Sequence, residues 1–136
     1  MLNQTELQKL KDELEIQRVL AEYCLRLEVN PFEEWLDLFT DDTVYEVHRK
    51  VLRGRQEVSE VLSLAPHGVH IGGALRIELD GDAATTIQNY QFLADEEKFS
   101  NNGWYYRTLV RTDDGWKISN TRVQMQKRKK PEPAAS

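Results

Sequence analysis

A single cysteine, Cys24, excludes an internal disulfide and agrees with a reducing compartment. Four prolines and seven glycines in 136 residues are too few for a collagen-like or low-complexity chain. No run approaches the roughly 20 apolar residues that a bilayer span needs, and the N-terminal segment is polar where a secretory signal would be apolar, so a cytoplasmic location is expected. Cofactor signatures are also missing: there is no phosphate-binding glycine loop and no nucleophile elbow, and Asp80-Gly81-Asp82 lacks the spaced ligands of a calcium loop. Neither a metal nor a cofactor is expected. Positive charge is scarce as well, with 18 Lys and Arg against 23 Asp and Glu. Lys127, Arg128, Lys129 and Lys130 against Glu132 leave the tail at +3, so residues 1–126 carry −8. Such a body repels phosphate backbones, and neither nucleic acid nor a membrane is the expected partner.

What remains is a soluble globular pattern, 40% hydrophobic and 30% charged, long enough for one self-sufficient core. Residues 1–126 read as a single domain, and 127–136 as a basic and then Pro/Ala-rich disordered tail. Thr5 reads as a helix cap, and Leu7, Leu10, Leu14, Ile16, Leu20, Tyr23 and Leu27 recur at helical spacing over 6–29. Asn30-Pro31 ends that helix and starts a short one through Trp35 to Phe39, with Asn30 as its N-cap. Thr40-Asp41-Asp42 breaks the pattern, Thr43–Val47 alternates as a strand, and a third helix covers about 56–63. From His67 onward strands dominate. The turns Asp80-Gly81-Asp82 and Asp113-Asp114-Gly115 predict two hairpins, 69–79 with 84–94 and 104–112 with 116–126. Helices followed by antiparallel strands predict an α+β fold: one curved, mainly antiparallel sheet whose concave face the three helices close, leaving a blind apolar pocket.

This order of signals resembles the SnoaL-like branch of the nuclear transport factor 2-like superfamily over about residues 8–126. The resemblance is carried by Tyr23 to Glu28, Phe32 to Asp42, Val51 to Arg55, His67-Gly68-Val69-His70, Leu79 to Ala84 and Asp114-Gly115-Trp116-Lys117-Ile118. It implies a cone-shaped α+β barrel. It also implies, from the dehydratase-like members, a histidine base at His70 and an acidic partner at Glu28, where the family carries aspartate. Tyr23 and Tyr45 match tyrosines that some dehydratases use to polarise a substrate oxygen.

The residues support the same roles from another side. Leu20, Cys24 and Glu28 lie four apart, so Glu28 extends an apolar stripe and is expected to face inward, where its carboxylate needs a donor such as the His70 imidazole. His70, between Val69 and Ile71, is either a base or a satisfied core histidine. His67 is expected on the opposite side of a regular strand, and His48, beside Arg49 and Lys50, in solvent. Trp35, Phe39 and Trp104 are expected in the pocket wall or core. Asn89, Gln91 and Arg122 are polar insertions in strands; each faces either the pocket, an interface or the outer surface.

The expected activity is that of a cofactor-independent lyase or isomerase (dehydratase, double-bond isomerase or cyclase) acting on a small hydrophobic oxygenated cyclic metabolite. The competing readings are a noncatalytic binding or assembly subunit, like the β subunit of ring-hydroxylating dioxygenases, and a ligand carrier. The two faces of a curved sheet also predict a homodimer first and a trimer second.

Overall fold

The computed structural model describes residues 1–95 and 100–126. The chain runs α1 (Gln4–Val29), α2 (Phe32–Leu36), β1 (Phe39–Val47), β2 (Lys50–Arg53), α3 (Gly54–Leu62), β3 (Gly68–Asp80), β4 (Ala83–Ala94), β5 (Asn101–Thr112) and β6 (Gly115–Met125). The six strands form one sheet in the order β2-β1-β6-β5-β4-β3. Every neighbouring pair is antiparallel except β1 and β6. The sheet does not close on itself, because β2 and β3 remain its two edges. Helices complete the cone instead: α1 packs on β3, and α3 on β1 and β2. The tail expected over 127–136 lies outside the described residues.

Several local expectations change. Asn3, not Thr5, caps α1, its side-chain oxygen accepting the Glu6 N–H at 2.8 Å. Asn30 closes α1 rather than opening α2, with its N–H on the Arg26 carbonyl, and Pro31 takes the N-cap position of α2. Thr40-Asp41-Asp42 does not break the chain but lies inside β1, where the register against β6 shifts between Phe39 and Val44. β2 was not foreseen. The two residues between β1 and β2, His48 and Arg49, both adopt positive φ, 50° and 64°. Such a turn normally selects Asn and Gly, so the sequence conceals it. The later hairpins form as expected, with a register shift between Gly72 and Leu75 in the first.

The core lies between α1, α2 and the concave face. Trp35, 1% exposed, packs edge-on against Phe39 and tilted against Tyr23, and its indole N–H donates to the Tyr23 carbonyl at 3.1 Å. At the other end, Asp12 ties α1 to the β5–β6 hairpin. Its carboxylate accepts two bonds from Arg111, at 2.8 and 2.9 Å, and one from the Trp116 indole at 3.2 Å. Arg111 also reaches Asp82 at 2.8 Å, so one guanidinium joins the helix to both hairpins.

The Arg111 hydrogen bonds hold the Asp12 carboxyl down from 3.8 to about 2. A depressed carboxylate contributes stability that is complete above its unfolded value and fades as the pH falls from about 4 towards 2. Asp12→Asn should therefore cost about 2 kcal/mol near neutrality and lower Tm by several degrees. Calorimetry at pH 7 and pH 2 checks this, because the gap between variant and parent should shrink at the lower pH.

Candidate functional site

Between α1, α2, α3 and the concave face lies a cavity of about 500 Å³. Leu27, Phe32, Trp35, Val61, Phe92 and Met125 supply apolar wall. Polar groups enter it at two levels. The inner level is aromatic hydroxyl: Tyr23 from α1, Tyr45 from β1 and Tyr105 from β5 all line the cavity. The Tyr23 and Tyr45 oxygens are 2.5 Å apart, and the Tyr105 hydroxyl also bonds to Tyr23. Three hydroxyl protons thus serve two internal bonds, leaving one for a ligand oxygen. Burial raises the pKa of all three tyrosines above the ordinary value of 10, so they remain protonated donors at neutral pH.

Beneath these rings sits Arg107, which sequence reasoning missed. It is 2% exposed, and its guanidinium lies 4.2 Å from the Tyr23 ring centre and 4.0 Å from that of Tyr105. Its Nη1 donates to Gln88 Oε1 at 2.9 Å, while Nε and Nη2 have no hydrogen-bond partner among the described residues. Gln88 itself depends on Gly72, since a Cβ there would meet the Gln88 amide nitrogen at 2.7 Å. The cation opposes the burial effect on Tyr23, Tyr45 and Tyr105, making each hydroxyl a better proton donor than burial alone would allow.

The outer level holds histidine. His70 is half-buried on β3, its ring 4.6 Å from that of Phe92, and its Nδ1 is buried with no hydrogen-bond partner. Burial lowers its pKa below 6.5, with Glu28 opposing, so the imidazole is a free base at neutral pH. Glu28 does not hold the imidazole as expected. Its side chain is exposed, and Oε1 accepts the His70 backbone N–H at 3.2 Å. The stripe through Leu20 and Cys24 does turn inward, but the last turn of α1 passes the β3 edge, where an unpaired strand N–H takes the carboxylate.

The other expected residues divide. Trp35 and His67 line the cavity, His67 from the loop before β3 and hence on the same side as His70. His48 is exposed as expected, yet it too borders the cavity. Phe39 is fully buried behind Trp35 and not in the wall. Asn89, Gln91, Trp104 and Arg122 are all on the outer face and do not reach the cavity. The inward sets are Thr86, Gln88, Tyr90 and Phe92 on β4 and Thr121, Val123 and Met125 on β6, so Asn89 and Gln91 share the outer face of one strand and Arg122 lies on that of the other. A pattern of period two has two phases, and these strands carry polar residues in both. Among the described residues, no three His, Cys, Asp or Glu side chains cluster as a metal ion would require, and no helix is long and apolar enough to cross a membrane.

The family model of the SnoaL-like domain matches residues 8–122. An uncharacterized protein of Mycobacterium tuberculosis is 28% identical over 121 residues, 81% of this chain and 82% of that protein. Among solved structures, a Mycobacterium tuberculosis protein of unknown function superposes with a TM-score of 0.80 at 26% identity, covering 98% of this chain and 82% of the other. A proposed scytalone dehydratase from Novosphingobium aromaticivorans superposes at 0.76 with 20% identity, covering 88% and 87%, a likeness of fold.

Because burial keeps His70 neutral and Glu28 opposes it, the His70 imidazole should titrate below 6.5, and Glu28→Gln should move it lower still. Proton NMR of the histidine ring signals across pH 4 to 8 measures both, and a midpoint at or above the ordinary value contradicts the burial described here.

Proposed function

We propose that this chain, which belongs to the SnoaL-like domain family, is a lyase or isomerase acting by proton transfer on a small, hydrophobic, oxygenated cyclic metabolite. The observation that carries this reading is the placement of an unpartnered, neutral imidazole and a protonated tyrosine relay on the same apolar hollow. His70 takes a proton from carbon beside a carbonyl, or from carbon next to one bearing a leaving oxygen. The spare hydroxyl proton of the Tyr105–Tyr23–Tyr45 relay is donated towards the oxygen on which negative charge develops. Arg107, behind two of the rings, favours that charge without touching the ligand. The apolar wall excludes water, which strengthens each of these interactions.

Glu28 acts on His70 through space and through the strand, not as an orienting hydrogen bond to the ring. The absence of any hydrogen bond to His70 Nδ1 among the described residues favours a second reading, a carrier that binds such a metabolite and returns it unchanged.

Deuterium exchange at C2 of α-tetralone in D2O separates the two. The enzyme reading expects acceleration over buffer, lowered about 10²-fold by His70→Ala in a variant with unchanged circular dichroism. Tyr45→Phe should lower it by about tenfold, since Tyr23 and Tyr105 keep part of the relay. Exchange no faster than buffer in the parent protein rejects catalysis and leaves the carrier.

A further inference from the structure

Charge around the hollow is unlike charge in the rest of the chain. The sequence holds three histidines and 23 acidic residues. All three histidines, His48, His67 and His70, line the hollow, together with Lys50. No acidic side chain lines it among the described residues. Glu28 turns its carboxylate onto a backbone N–H of β3, and Glu46 of β1 lies on the opposite face of the sheet from Tyr45. Behind the wall, Arg107 adds a buried positive charge with no carboxylate bonded to it among the described residues.

The mouth is also held at a conformational cost. Val47 pairs with Lys50 across the β1–β2 turn, and the residues between them, His48 and Arg49, occupy left-handed backbone without being glycine. Such a conformation persists where the surroundings enforce it, and it concentrates at binding sites. Here it holds His48 and Lys50 beside the same opening.

We propose that the ligand of this hollow is an anion: an apolar ring system carrying a carboxylate, with the ring against Trp35, Phe92 and Met125 and the carboxylate in the mouth against Lys50, His48 and His67. This inference names the substrate class of the site and rests on its reading as a small-molecule pocket. Lys50 supplies a fixed positive charge, and the two histidines supply N–H donors in either protonation state. Where no acidic side chain among the described residues lines the rim of an acidic protein, a carboxylate avoids the repulsion it meets elsewhere on the surface.

Calorimetric titration of the full chain with 2-naphthoate and 2-naphthamide tests it, since the two share a shape and differ by one charge. The carboxylate should bind about fivefold to tenfold more tightly at low ionic strength, and the margin should narrow as salt is added. Lys50→Glu should abolish or reverse the margin while leaving the 2-naphthamide Kd within about twofold of the parent value. Equal affinities in the parent, or a margin that Lys50→Glu leaves intact, overturn the proposal. Binding of neither compound overturns it together with the pocket reading, whereas a charge-dependent margin without α-tetralone exchange overturns catalysis alone.

Discussion

The Arg107 guanidinium, clamped between the rings of Tyr23 and Tyr105, is the constraint around which the interior is arranged. A buried cation without a carboxylate is expensive, and here it is offset by two aromatic faces and one hydrogen bond from Nη1 to Gln88. Each of those partners needs its own support. Gln88 has room because residue 72 is glycine, Tyr23 is fixed by the Trp35 indole on its carbonyl, and Tyr105 stacks on Tyr90 at 4.4 Å. The tyrosine relay that floors the hollow thus follows from the way one charge is accommodated below it.

Both faces of the sheet mix polar and apolar residues. Thr86, Gln88, Arg107 and Thr121 are buried on the concave side, while Val69, Ile71, Ile87, Leu93 and Trp104 are exposed on the convex one. An ordinary half-buried sheet separates the two more cleanly. The concave residues surround a cavity and a buried charge, and such an interior needs hydrogen-bonding and charged groups that a packed core does not.

This mixing bears on which site residues were legible. His70, Tyr23 and Tyr45 were found because each is a conspicuous residue type at a position marked by the order of elements, and all three reach the hollow. Arg107 was missed because the alternation in Trp104-Tyr105-Tyr106-Arg107 offers aromatic residues in both phases, so neither face announces itself as the inner one. Glu28 was misplaced for a different reason. Helical spacing gives a direction around the axis of α1 but not the point along that axis where the sheet edge stops covering it. That His48 and Lys50 border the hollow was not legible, because the turn that brings them there uses left-handed residues that are neither asparagine nor glycine.

The order of elements, the two later hairpins and the α+β class were written in local signals: apolar spacing, a proline after α1, and Asp-Gly turns between alternating segments. Those signals act over a few residues, so a single chain displays them. The parallel pairing of β1 with β6, the burial of Arg107 and the gathering of all three histidines at one cavity depend on contacts between elements distant in the chain. Only the folded packing decides them, because the energy of a buried charge or an inward ring is set by what the rest of the chain brings to meet it.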